Sequence, residues 1–443
     1  MKKPSLLVIF LTVFLDLVGF GIVLPLLPLY SDKFGADGWM IGVIMASYSA
    51  MQFLFAPAWG RLSDRIGRRP VMLVSTAVAA ISYAIFAIGS GIEDPMLALG
   101  VLLISRALAG VCGANITVAQ ACIADVTPPE ERSKKMGLIG MAFGLGFIFG
   151  PALGGVAVKS FGISGPGWVA AALCAANFFL ALAILPETRP ANGAVKSVAR
   201  PRFNQWAHVL ARPQIGLLVL VFFLATFCFT CFETTLSLLV AKNFNLVPIE
   251  TGASSDLHTK DKFGDAATSA TILFTYCGLI GAFVQGGPLG KILKRLGERR
   301  LISLSLLLVG VSLIPLPFIH GEGHLSWAAL WQAGSLPWWV MIVVLGGLSV
   351  GSSLARPPLF GLISILTPSD EQGETLGVAQ SVGSLARILG PIFAGSLFNF
   401  TPFNLPVGAV PYLIAGSVAL IAAVLAWRRL RGAEANAAMQ VAR

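Results

Sequence analysis

Five ionisable residues interrupt stretches of the chain that are otherwise apolar: Asp16, Arg106, Glu233, Arg356 and Arg387. A carboxylate set among Leu, Val and Phe is costly unless it pairs, meets water or takes up a proton, so Asp16 is a candidate proton carrier. Its alternative role is structural, as the partner of an arginine on a neighbouring helix. Glu233, within Phe232-Glu233-Thr234-Thr235-Leu236, is either a second coupling acid or a rim residue. A guanidinium keeps its charge, so the three arginines must face water, a carboxylate or an anionic ligand. If all five are ionised, the set carries a net charge of plus one, which opens anionic or zwitterionic ligands beside lipophilic cations. The four histidines, His208, His258, His320 and His324, fall in the linker or in loops, so proton relay has to use carboxylates, water or tyrosine. Tyr48 and Gln52, one turn apart on one helix face, and Asn115, expected in mid-helix, are uncharged groups suited to lining a path or to bonding between helices.

The elements that hold these residues are set by composition. Of 443 residues 56% are hydrophobic and only 12% charged, more apolar surface than a soluble core can hide. A bilayer core of ~30 Å takes about 20 apolar residues per helix. Twelve such segments are predicted, beginning near residues 6, 39, 71, 97, 137, 167, 215, 266, 301, 338, 376 and 408. The expected fold is all-α, with both termini on one side. Lys2-Lys3 before an apolar run resembles a secretory signal, but the run continues to Tyr30 with no small-residue cleavage site and reads as a retained first helix.

Charge fixes the expected orientation. With the termini inside, inner segments hold 23 of the 31 Lys and Arg and outer loops hold five: Lys33, Lys159, Lys242, Lys260 and Lys262. The positive-inside rule then places both termini in the cytoplasm of a bacterial inner membrane. A basic face toward anionic lipid accounts for the net charge of +10 without nucleic acid. The six cysteines, Cys112, Cys122, Cys174, Cys228, Cys231 and Cys277, lie within predicted helices at no metal-like spacing, so packing is their expected role. Neither a metal nor an organic cofactor is expected. Gly286-Gly287-Pro288-Leu289-Gly290 is glycine-rich, but a repeated helix-end turn explains it better than a phosphate loop, and a membrane enzyme or receptor is only a remote alternative.

The second half repeats the first. Leu26 to Phe34 align with Leu236 to Phe244 at an offset of 210, Gly60 to Gly67 with Gly290 to Gly297 at 230, and Glu130 to Pro151 with Asp370 to Pro391 at 240. The growing offset puts insertions around 245 to 265 and 320 to 337. The expected domains are a six-helix bundle over 1–187, a polar cytoplasmic linker over 188–213 and a second bundle with a tail over 214–443. Parallel repeats of this kind place a substrate site between the bundles near mid-membrane.

Gly60-Arg61-Leu62-Ser63-Asp64-Arg65-Ile66-Gly67-Arg68-Arg69 matches, at every specified position, the G-x-L-x-D-R-x-G-R-R signature of the major facilitator superfamily, which the chain resembles over essentially its whole length. Asp16 to Gly21 with Pro25 to Pro28 is similar to the first helix of tetracycline-efflux proteins. Arg106 to Gly110, and Gly146 through Gly150-Pro151 to Gly154-Gly155, resemble the fourth- and fifth-helix signatures of the twelve-helix drug:proton antiporter branch. The resemblance implies proton-coupled efflux of small amphipathic organic molecules by alternating access, by a monomer whose partners are substrate, protons and lipid. It assigns Arg106 to proton transfer and Arg387 to the branch's eleventh-helix arginine. Gly146, Gly150, Pro151 and Gly154 become a hinge or tight bundle contact. Asp64, Arg65, Arg68, Arg69 and Asp125 become a cytoplasmic lock, with Gly60 and Gly67 shaping its turn and Asp64 meeting the start of helix eleven near Gly373 to Leu376. Two departures stand out. Lys294 and Glu298 replace the lock's aspartate and an arginine in the second copy, and Ser82 stands where tetracycline pumps carry an acid, which argues against tetracycline itself. An organic-anion facilitator or symporter using Arg356 and Arg387 is the runner-up.

Overall fold

A backbone crossing lipid must bond its own N–H and C=O groups, which leaves the helix as the local solution for segments this apolar. The computed structural model of the chain describes residues 6–111, 113, 115–127, 129–188, 202–246, 257–332, 334–367 and 372–430. Among them, twelve helical segments are long and apolar enough to span a membrane. The first is broken into α1 (Leu6–Val23) and α2 (Leu27–Lys33), around Pro25, which has no N–H to donate. The second and third are α3 (Gly38–Ile66) and α4 (Arg68–Ser90). The fourth is also broken, into α5 (Pro95–Val111) and α6 (Asn115–Val126), so Asn115 opens α6 rather than sitting in mid-helix as expected. α7 (Pro129–Phe161) and α8 (Gly165–Ile184) complete the first repeat, and a short α9 (Arg202–Leu210) lies in the expected linker. The second repeat holds α10 (Pro213–Asn243), α11 (Leu257–Gly286), α12 (Leu289–Leu313), α13 (Leu336–Ile365), α14 (Gln372–Phe398) and α15 (Ala409–Arg429). Because α11 starts at Leu257, His258 is helical rather than in a loop. Cys112 and residues 189–201 of the linker lie outside the described residues.

The repeat persists in the backbone. Gly67 ends α3 at φ 106°, ψ 160°, and Gly297, its counterpart, interrupts α12 at φ 74°, ψ 164°. Both conformations favour glycine. The arginine two places on behaves alike in each copy: Arg69 Nη2 donates to Leu182 O at 2.8 Å, and Arg299 Nη1 donates to Trp427 O at 3.2 Å. Each satisfies a carbonyl in the last turn of its half's final span, α8 and α15, where a cation also suits the helix dipole.

By packing, the chain divides into one unit of residues 1–195, 236–278 and 322–329 and another of 196–235, 279–321 and 330–443. This division differs from the division by repeat, since it places residues 236–243 of α10 and 257–278 of α11 with the first six spans. Within the first unit the glycines of α7 let it lie against α1. A Cβ at Gly150 would sit 2.6 Å from Gly21 Cα, one at Gly154 2.7 Å from Ile22 O, and one at Gly146 2.9 Å from Leu17 Cβ. Pro151 is buried among them. At the end opposite the arginine-rich turn, Ser237 Oγ donates to Pro25 O, the Tyr30 and Phe263 rings lie 5.4 Å apart, and Leu325 N donates to Ser269 Oγ at 2.9 Å. The segment around Leu325 thus rests on α11, and Trp327 and Trp331 are exposed as suits residues at a lipid–water boundary. In the second unit an apolar core joins α10, α12, α13, α14 and α15, and the Phe222 and Phe360 rings meet within it, 4.9 Å apart.

Candidate functional site

Arg106 is the largest fully buried side chain among the described residues, at 1% exposure. Its guanidinium lies over two aromatic rings, 4.9 Å from the Tyr48 centroid and 5.3 Å from that of Phe20, and those rings are themselves 4.9 Å apart. Stacking of a planar cation on ring faces offsets part of the cost of desolvating it. Phe20 is one turn from Asp16 on the same face of α1, which brings the half-buried carboxylate toward the arginine. Tyr83 of α4 lies within electrostatic reach of Asp16, Arg106, Tyr48 and Cys174 together. A Cβ on Gly19 would meet Cys174 Sγ at 2.9 Å and Tyr83 Cε2 at 3.3 Å, so the glycine admits this cluster.

Three of the residues singled out in the sequence, Asp16, Arg106 and Tyr48, therefore come together in one unit. Tyr83 is a member that the sequence does not mark; a tyrosine beside a serine on an apolar helix gives no signal until α4 is packed on α5 and α8 and its ring reaches Gly19 of α1. Gln52 has a defined structural role, since its Nε2 donates to Gly113 O at 3.1 Å, in the break between α5 and α6. Trp59 Nε1 similarly donates to Val111 O at 2.5 Å. The Asn115 side chain lies outside the described residues.

A second charged group occupies the other unit. Arg356 of α13 is exposed although it lies far from both ends of its helix, and its guanidinium stands 5.9 Å from the centre of the Phe229 ring. Glu233, one turn beyond Phe229 on α10, is half-buried and within charge reach of Arg356. Arg387 is half-buried on α14, and its Nη2 donates to Ser384 Oγ at 3.0 Å.

At the arginine-rich turn, Arg68 Nε pairs with Asp125 Oδ2 at 3.1 Å and its Nη1 donates to Ser63 Oγ at 2.6 Å. The backbone N–H groups of Arg68 and Arg69 donate to the two carboxylate oxygens of Glu187 at 2.9 and 3.1 Å. A carboxylate on the free N–H groups that open α4 is favoured by both hydrogen bonding and the helix dipole. In the sequence Glu187 marks only the end of the first repeat, and its distance along the chain from Arg68 hides the contact. Arg65 is exposed. The side chains of Asp64 and of residues 371–374, at the start of α14, fall outside the described residues, so the expected Asp64 contact does too.

Residues 9–331 and 260–440 match the Major Facilitator Superfamily. The tetracycline resistance protein, class E, of Escherichia coli is 32% identical over 395 residues, covering 88% of this chain and 86% of that protein. The crystal structure of the human organic anion transporter MFSD10 (TETRAN) superposes with a TM-score of 0.61 at 25% identity, covering 95% and 98% of the two chains. That of the nucleoside transporter NupG gives a TM-score of 0.68 at 15% identity over 97% and 100%, a likeness of fold. The chain belongs to the major facilitator superfamily. It is a multi-pass membrane transporter of small solutes, not an enzyme.

Proposed function

We propose that the protein is a proton-coupled efflux antiporter for small amphipathic organic molecules, operating as a monomer in a bacterial inner membrane with both termini cytoplasmic. The observation that carries this reading is the convergence of Asp16, Arg106, Tyr48 and Tyr83 in the first unit. Such a cluster gives a membrane carboxylate both an apolar setting that favours its neutral form and a cation that favours its charged form. A small change in their spacing then moves the proton on or off. The similarity to tetracycline resistance proteins supports export. Glu233, Arg356 and Arg387 line the substrate path in this reading, and the two repeats, 1–187 and 214–443, rock about it. The turn carrying Asp64, Arg65, Arg68 and Arg69, with Asp125, locks one state, and the α1–α7 contact at Gly146, Gly150, Pro151 and Gly154 holds as a unit while the rest moves.

Asp16→Asn keeps the shape of the side chain and cannot titrate. In proteoliposomes it is expected to abolish uphill transport driven by a proton gradient while leaving downhill exchange. A mutant that still concentrates substrate makes Asp16 structural and passes the role to Glu233. The exposed Arg356 and the similarity to the organic anion transporter MFSD10 favour a second reading, a facilitator or symporter for organic anions. Wild type that ignores the proton gradient would select the facilitator.

A further inference from the structure

Phe229, Glu233 and Arg356 form a group of opposite charges beside an aromatic face, within one unit. Phe229 and Glu233 present to the same side of α10, and the Arg356 guanidinium reaches them from α13, 5.9 Å from the ring. One turn from Arg356 along α13, Phe360 meets Phe222 of α10 in the apolar core. Pro357 and Pro358 withdraw the N–H groups that would bond the Ser353 and Leu354 carbonyls within the helix, which adds acceptor capacity in the turn before Arg356.

The charges themselves limit what such a place accepts. At membrane depth, a ligand that neutralises one member of a Glu–Arg pair leaves the other without its counter-charge, and that is costly even where water reaches the group from one side. A singly charged cation near Glu233 is repelled by Arg356; a singly charged anion on Arg356 is repelled by Glu233. A molecule carrying both charges replaces the internal pair charge for charge and leaves nothing uncompensated. We infer that Glu233, Arg356 and Phe229 form a recognition site for zwitterionic aromatic molecules, the anionic group on Arg356, the cationic group on Glu233 and the ring against Phe229. This deepens the efflux reading and rests on its placing these residues on the substrate path. It also supplies a second point of exchange, because a proton on Glu233 removes the partner of the ligand's ammonium group, so that proton and ligand exclude each other there.

The test is equilibrium binding to the full-length protein in nanodiscs, with no gradient, using three compounds built on one ring: 4-(aminomethyl)benzoate, its methyl ester as the cation and its N-acetyl derivative as the anion. The zwitterion is expected to bind roughly tenfold to a hundredfold more tightly than either, the loss associated with one charge-assisted hydrogen bond. Arg356→Gln is expected to lose the zwitterion and gain the cation, and Glu233→Gln to lose the zwitterion and gain the anion. These gains show that the variants are folded. The double reversal, Glu233→Arg with Arg356→Glu, is expected to recover zwitterion binding in the opposite orientation. Equal binding of all three compounds overturns the inference, as does failure of wild type to bind the zwitterion up to its solubility. So does a wild-type preference for the anion, which gives Arg356 to an anion carrier instead. Failure here leaves the Asp16 transport measurement intact, since that reads coupling whatever the substrate's charge.

Discussion

Substituting alanine at Gly150 tests the contact between α1 and α7 with a control built into the same helix. The new Cβ would lie 2.6 Å from both Cα and C of Gly21 and 2.9 Å from Ile22 N. All three are backbone atoms, which no rotamer change can move aside, so the helices must separate by about 1 Å to reach ordinary contact of ~3.5 Å or more. Overpacking of this kind costs about 1–3 kcal/mol. Gly→Ala within a helix also contributes about 1 kcal/mol of helix propensity in the other direction. Gly144, on the same helix, has nothing within 4 Å of its Cβ position, so Gly144→Ala shares the propensity gain without the clash. The difference between the two variants isolates the clash: Gly150→Ala is expected to be about 1–3 kcal/mol less stable than Gly144→Ala, roughly 5- to 150-fold in the unfolding equilibrium. Tryptophan fluorescence during SDS titration in mixed micelles reads both midpoints. Equal stability, or greater stability of Gly150→Ala, would show that the close approach of α7 to α1 is not tight in the folded protein.

Arg106→Lys keeps the charge but replaces the plane that lies over Phe20 and Tyr48 with a strongly hydrated point charge. It is expected to lower transport at least about tenfold, on the scale of one desolvated cation–π contact of ~2 kcal/mol, and normal transport would exclude ring stacking as its role. Asp64→Asn should cripple transport and spare substrate binding, because the lock acts on one state rather than on the substrate path. A variant whose only defect is lost binding refutes that assignment. Cysteines introduced at Ser197 and Ser255 should react with a membrane-impermeant maleimide from the cytoplasmic and the outer side respectively; reversed labelling overturns the orientation drawn from the lysine and arginine distribution.

The number and order of the spans were legible in the chain because a lipid-crossing helix needs a long apolar run, and such runs are local. The arginine-rich turn was legible for the same reason: its residues are adjacent, and Gly67 and Gly297 share a backbone conformation that a local glycine permits. The repeat also came through, down to Arg69 and Arg299 each holding a carbonyl at the end of its half's last helix. Helix breaks were read less well. The chain crosses from α5 to α6 at Gly113 without proline, and glycine is equally at home inside membrane helices, so Asn115 was placed in mid-helix when it begins one.

What the tertiary structure decided was partnership. Sequence can mark Asp16, Arg106 and Tyr48 as unusual where they stand, but Tyr83 joins them only because α4 packs on α5 and α8 and its ring reaches Gly19 of α1. Glu187 looks like an ordinary polar residue leaving the membrane, and only the fold sets both of its oxygens on the first N–H groups of α4. Glu233 and Arg356 each read as a lone charge in an apolar run until α10 and α13 face one another. Burial in lipid is written residue by residue, because hydrophobicity belongs to the side chain; the choice of counter-ion is not, because it depends on which helix faces bring distant residues within a few ångströms.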